Sequence, residues 1–257
     1  MHPVFLEFQS FEIRWYGILI GMAFLAGTGL AVREAGRKGF DRELIYDFLF
    51  YALLAGIFSA RLYFLSIFDP SIFGEHPGEI LAIWNGGLSI QGGLLGGLIA
   101  GILFCRARRI SFWDFADLLT PSVILGQAVG RVACVLNGCS FGKPTLLPWA
   151  VTFTDPRSAA PRDIPLHPTQ FYEMGADLLI FLLVWNLRKR TRFGGELFLI
   201  WAMAYGGARI FLEMFRGDSL LITPNLPAAR LFGLASMAAA AGLFLWRRAR
   251  TTAGLQS

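Results

Sequence analysis

Charge is scarce in this chain of 257 residues: 16% of positions are Asp, Glu, Lys or Arg, while 55% are hydrophobic and the mean hydropathy is +0.54. One soluble core of this size needs far less apolar surface, so the balance excludes an ordinary soluble domain and defines a polytopic membrane protein. The net charge is +5, but the basic residues form short clusters between apolar runs, with no continuous face of the kind that binds nucleic acid. Cysteine is rare, with three in all, too few for a disulfide framework. Internal repeats, low-complexity tracts and soluble-domain linkers are missing, so residues 1–257 read as a single polytopic membrane domain. Met1–Arg14 contains Glu7 and Glu12 and no Lys or Arg before Arg14, which is the wrong sign for a cleavable signal. The first apolar run is therefore expected to stay.

What the chain does have is seven apolar runs, near 15–32, 45–67, 87–105, 115–136, 171–187, 196–215 and 228–246. Each is long enough to cross, or nearly cross, about 30 Å of hydrocarbon at about 1.5 Å per residue. They predict an all-α membrane protein with seven transmembrane helices. The connections after the first, third, fifth and seventh runs carry fourteen Lys and Arg residues, among them Arg33, Arg106, Arg188 and Arg247. The opposite face carries five: Arg14, Lys143, Arg157, Arg162 and Arg216. The positive-inside rule then predicts an N-terminus outside and a C-terminus in the cytoplasm. Outer loops fall at about 68–86, 137–170 and 216–227, and function is expected on or near that face.

Two arginines stand inside apolar runs, Arg131 in VILGQAVGRVACVLNG and Arg209 in FLIWAMAYGGARIFLEMF. A charge at such depth is expensive and usually functional. A planar, permanently charged guanidinium suits a phosphate or carboxylate held away from water, and in a bilayer the obvious anion is a phospholipid headgroup. Tyr205, Arg209 and Glu213 are spaced four apart and share one helix face, so Arg209 and Glu213 could equally be an intrahelical ion pair. Arg131 has Gln127 one turn earlier and Asn137 at the helix exit, but no acid within a turn to neutralise it. Arg61 could pair with Glu213 or Asp69.

Other residues admit two readings each. Gly86, Gly87, Gly92, Gly93, Gly96, Gly97 and Gly101 crowd around the third run. Four-apart glycines let helices pack closely, while Gly92 and Gly93 could instead give a headgroup access to backbone N–H groups. In HPTQFYE, His167–Glu173, an imidazole and a carboxylate stand at the outer mouth of the fifth run, fit for acid–base work. The same stretch could simply start a helix, with Pro168 in the first turn and Thr169 or His167 as cap. Tyr16 suits an interfacial anchor. Cys105 reads as a small buried hydrophobe; Cys134 and Cys139 could form an outer disulfide, supply a reactive thiol, or merely pack.

Together, WYG (Trp15–Gly17), WNGGLSIQGG (Trp84–Gly93), GRVACVLNGCSFG (Gly130–Gly142), HPTQFYE and YGGARIFLEMFR (Tyr205–Arg216) resemble the prolipoprotein diacylglyceryl transferase family over nearly the whole chain. The resemblance implies transfer of a diacylglyceryl group from phosphatidylglycerol to the lipobox cysteine thiol of a prolipoprotein signal peptide. A thioether forms and glycerol phosphate leaves, in the bacterial inner membrane, with no metal or other cofactor and no nucleic-acid partner. It implies that Arg131 and Arg209 grip the phosphate, that Glu213 orients Arg209, and that Tyr16 and Asn137 are further pocket residues. Cations on the leaving group suit this chemistry, because negative charge develops there as the carbon–oxygen bond breaks.

Three positions depart from the family pattern. Gln91 stands where the family usually has a histidine favoured as the base, and Cys134 and Cys139 stand where it usually has Asn and Glu. A glutamine cannot take a proton at neutral pH. Three expectations follow: His167 or Glu173 activates the substrate thiol; Cys139 or Cys134 acts as nucleophile or relay in a variant lipid transferase with another acceptor; or the chain is a non-catalytic phospholipid-binding relative. An anion transporter is a fourth class, opposed by the lack of an inverted repeat or of paired broken helices.

Overall fold

A computed structural model of the chain describes residues 2–8, 11–68, 70–75, 77–82, 87–223 and 226–254. Asp69 and Trp84–Gly86 lie outside the described residues, and with them the Arg61–Asp69 pairing and the start of the WNGG block. The chain is mostly helical: α1 Trp15–Lys38, α2 Glu43–Phe68, a single turn α3 Ile72–Glu75, α4 Ile90–Arg108, α5 Phe112–Asn137, α6 Thr169–Leu187, α7 Glu196–Leu212 and α8 Ala228–Gly254. Three small antiparallel pairs decorate the connections: β1 Val4–Phe8 with β2 Phe11–Arg14, β3 Val151–Thr152 with β4 Pro165–Leu166, and β5 Leu221–Thr223 with β6 Leu226–Pro227. Among the described residues, five helices are long and apolar enough to cross a membrane: Trp15–Lys38, Glu43–Ile67, Phe112–Asn137, Glu196–Phe215 and Ala228–Thr252. Their leucines and phenylalanines, Leu25, Phe50 and Phe232 among them, stay exposed, as a lipid-facing surface requires.

Helices α1 and α8 outlast the apolar runs by six and eight residues, and REAGRK and RRAR supply Arg, Glu, Ala and Lys, good helix formers, after hydrophobicity has ended. The chain divides into two compact units, Val32–Phe115 and the remainder, Met1–Ala31 with Ala116–Ser257.

In the Val32–Phe115 unit, α2 packs along α4. A Cβ on Gly92 would stand 2.4 Å from the Ser59 carbonyl oxygen, and one on Gly96 would stand 2.6 Å from that of Ala55. The four-residue glycine spacing is thus what lets the two backbones meet. Gly92→Ala is expected to destabilise the protein by about 1–3 kcal/mol through overpacking. Gly97→Ala, where nothing lies within 4 Å, should be close to neutral; thermal unfolding of both in detergent checks the contrast. At the far end of this pair, Phe48, Phe104 and Phe115 make a buried aromatic cluster. Buried Glu34 holds Arg37 at 2.6 Å.

In the other unit, α5 lies against α1, with Gly126 and Gly130 facing Ala23 and Ile20, and α7 packs on both α6 and α8. Ile124, Ile180, Val184 and Leu197 form the apolar core, flanked by Trp201 and Tyr205. Asp117, an acid inside α5, is spent on architecture: its carboxylate accepts the N–H groups of Gly195 (2.9 Å) and Phe198 (2.8 Å), so α5 caps the start of α7. The opposite ends of α5 and α7 meet a pad of loop backbone. Lys143 N–H donates to Phe215 O, Gly217 N–H to Phe141 O, and His167 N–H to Lys143 O. Phe153, Ala160 and Leu166 give the 137–170 loop a small core of its own.

Candidate active site

The buried stripe of α6 is Thr169, Gln170, Glu173, Asp177, Ile180 and Val184, three or four residues apart from Gln170 onward. Its first half is polar and its second apolar, so two carboxylates enter the helix packing together. Both find guanidinium partners. Arg131 of α5 approaches Glu173 Oε2 at 2.5 Å and Asp177 at 3.6 Å. Arg209 of α7 approaches Glu173 Oε1 at 2.6 Å and Glu213, in the turn after α7, at 2.9 Å. Arg216 reaches the same Oε1 at 2.8 Å and Asp218 at 2.8 Å. One buried carboxylate is therefore shared by three arginines from three parts of the chain. Burial alone works against the Arg216 cation, but Glu173 and Asp218 outweigh it and hold its pKa above the usual arginine value.

This adds what sequence spacing around Arg131 could not show. No acid lies within a turn of it, but α6 supplies two from more than forty residues away. It also recasts Glu173, which is buried at the centre of the cluster and not held at an open mouth. The Arg209–Glu213 pair forms as its spacing predicts. Asp177 and Arg216 are the residues that sequence reasoning missed. Asp177 carried a usable signal, an acid four residues after Glu173 in an otherwise apolar run; Arg216 looked like an ordinary loop cation.

A second group gathers where α5 ends. Cys134 and Cys139 are free cysteines here, near enough to influence each other's thiols. The Asn137 side chain also bonds to Cys139, and Tyr16 interacts electrostatically with both thiols and with Arg131. Hydrogen bonding from Cys134, then from Asn137, overcomes the effect of burial and pulls the Cys139 thiol down to about 6. From α6, Gln170 donates to the Cys139 carbonyl at 2.9 Å and Thr169 to that of Ser140 at 2.6 Å. The Thr169 hydroxyl is thereby used up, so the expected side-chain cap of α6 does not form: Pro168 takes the cap position, and neither Thr169 nor His167 closes it with a side-chain bond. His167 sits beside Tyr172 and Phe215, its Nδ1 3.4 Å from the Tyr172 hydroxyl. Gln127 Oε1, one turn before Arg131, has no hydrogen-bond partner among the described residues.

The remaining candidates lie in the Val32–Phe115 unit. Arg61 is buried and donates to the carbonyls of Ile80 and Gly87, each at 3.4 Å. Gln91 is exposed and its Oε1 accepts the Ser89 hydroxyl at 2.6 Å. Gly92 is buried against α2, and Gly93 has more room, its nearest neighbour 3.6 Å from where a Cβ would stand.

Fold and cluster together define a multi-pass helical membrane protein with a network of arginines and carboxylates buried among its helices. The chain belongs to the prolipoprotein diacylglyceryl transferase family, whose sequence pattern matches residues 3–246. It is similar to proteins named phosphatidylglycerol–prolipoprotein diacylglyceryl transferase from three bacteria. The one from Nostoc sp. is 36% identical over 254 residues, covering 95% of this chain and 88% of the relative. That from Geobacillus kaustophilus is 37% identical over 259 residues, covering 96% and 93%. That from Bacillus licheniformis is 34% identical over 252 residues, again covering 96% and 93%.

Proposed function

We propose that this protein transfers the diacylglyceryl group of phosphatidylglycerol to the lipobox cysteine thiol of a prolipoprotein signal peptide, in a bacterial inner membrane. It works as one polytopic domain of seven crossings, α1, α2 and α4 to α8, with its N-terminus outside and its C-terminus in the cytoplasm. The observation that carries the reading is the convergence of Arg131, Arg209 and Arg216 on one carboxylate. Guanidiniums aimed at a single anionic point, with little water around them, are what a phosphodiester needs as its carbon–oxygen bond breaks. The acceptor sulfur forms its bond to the glyceryl carbon, that carbon's bond to the phosphate oxygen breaks, and glycerol phosphate leaves with the electron pair. Arg131 and Arg209 hold the phosphate, Glu213 keeps Arg209 turned toward it, and Tyr16 and Asn137 border the reacting end.

The acceptor thiol must lose a proton, and Gln91 cannot take it. Glu173 is engaged by three arginines, which leaves His167 in that role. A second reading rests on the depressed Cys139 thiol: its thiolate is present above about pH 6 and could accept the proton instead. In that case transfer rises with pH around 6, and Cys139→Ser removes the rise while phosphatidylglycerol still binds. If His167 is the acceptor, His167→Gln abolishes transfer and Cys139→Ser keeps most of it. The deciding experiment is transfer by the purified protein from labelled phosphatidylglycerol to a lipobox peptide, with Gln91→His run alongside. Transfer by the unchanged chain establishes the reaction; bound lipid without transfer means another acceptor or a non-catalytic relative.

A further inference from the structure

Helix α5 ends in a way that fixes where two sulfur atoms lie. Gly138 takes a left-handed conformation (φ +77°) and its N–H donates to the Cys134 carbonyl at 2.9 Å. The Ser158–Ala160 segment closes over it, so close that a Cβ on Gly138 would stand 2.0 Å from Ser158 Oγ. A helix that terminates through a left-handed glycine folds the following residue back over the one three before its cap. Here those two residues are Cys139 and Cys134, which puts the two thiols close enough to interact. Both are partly accessible, whereas Cys105 is buried. The pair borders the cluster: Arg131 stands one turn before Cys134 and interacts with it electrostatically, and Asn137 and Tyr16 are coupled to one or both sulfurs.

We propose that Cys134 and Cys139 are a reversible dithiol–disulfide pair, oxidised by exchange with a small-molecule or protein disulfide, and that bridging them switches off the adjoining site. The first step is attack of the Cys139 thiolate on the external disulfide, giving a mixed disulfide and one released thiolate. Cys134 then gives up its proton, and its sulfur attacks Cys139 Sγ, expelling the second thiolate. Two protein thiols lose two electrons and two protons; the external disulfide is reduced to two thiols. The turn already holds the partners together, so the second step needs little chain ordering, and the low-lying Cys139 thiol suits the attacking role. Bridging turns the Cys139 thiolate to which Asn137 bonds into a disulfide sulfur, a weaker hydrogen-bond acceptor, and ties the end of α5 to its exit loop. The switching half of the proposal rests on the transferase reading above; the redox half does not.

The test uses the full-length protein in detergent, equilibrated with glutathione mixtures of graded ratio, quenched in acid and labelled with a maleimide. Trypsin releases both cysteines in one peptide, Val132–Arg157. The expected result is an unlabelled peptide lighter by two hydrogens on the oxidised side, two labels after dithiothreitol, and a trapped glutathione adduct at Cys139 in Cys134→Ser. Transfer to a lipobox peptide, assayed after glutathione is removed, should fall at least tenfold with the same midpoint and return on reduction. Two labels across the whole range, or a stable glutathione adduct in the unchanged chain, overturns the pair. Equal transfer by oxidised and reduced protein overturns the switch. If the reduced protein transfers nothing, the transferase reading fails. Retention of labelled phosphatidylglycerol by the two forms then decides whether bridging acts on the site, equal retention overturning it.

Discussion

Arg131→Lys is expected to lower the rate of diacylglyceryl transfer roughly 10- to 100-fold, although the positive charge is kept. A charge-assisted hydrogen bond is worth about 1.5–3 kcal/mol, and about 1.4 kcal/mol corresponds to a tenfold change in rate. The lysine ammonium can reach Glu173 or a phosphate, but not with the planar fork that lets Arg131 address Glu173 and Asp177 at the same time. The loss should fall mainly on kcat, because the leaving phosphate gains charge only as the bond breaks. Near-parental turnover would remove Arg131 from the phosphate grip and leave it a structural counter-ion of α6.

Glu173→Gln is expected to have the largest effect on stability, about 3–5 kcal/mol, because it leaves three guanidiniums converging on a neutral amide. In the parent, Arg131, Arg209 and Arg216 all lie within 3 Å of that carboxylate. Thermal unfolding in detergent reads the loss directly. Phosphatidylglycerol should restore more stability to the variant than it adds to the parent, since the lipid phosphate supplies the missing negative charge. A variant as stable as the parent, with no extra response to lipid, would mean that the three arginines do not depend on Glu173.

Much of the helical plan is legible from hydropathy alone. Runs such as 115–136 and 171–187 correspond to α5 and α6 within a few residues, because in a membrane an apolar stretch must satisfy its own backbone as a helix. Arg131, Arg209 and Glu213 stand out for a related reason, charge being rare at such depth. The neighbours of Arg131 were not legible: Glu173 and Asp177 come from another helix, and sequence spacing says nothing about which helix faces which. The thiol contact was half legible. Cys134 and Cys139 were visibly five apart, but only the left-handed turn at Gly138 brings them together. The start of α6 was legible at Pro168 and Thr169, but not its cap, because tertiary contact sends the Thr169 hydroxyl to Ser140.

The sharing of Glu173 also sets the order in which this network can change over generations. Each arginine leans on the same acid, so their substitutions are epistatic, and the cost of losing two differs from the sum of the single losses. A lineage that drops Glu173 first carries surplus buried cations, and a second-site change at Arg216 then relieves the strain it would have caused in the parent. The reverse order leaves Glu173 with two cations where it had three. Suppressor selection on a Glu173→Gln background should therefore return changes at Arg216, the arginine farthest along the chain from α5, before changes at Arg131.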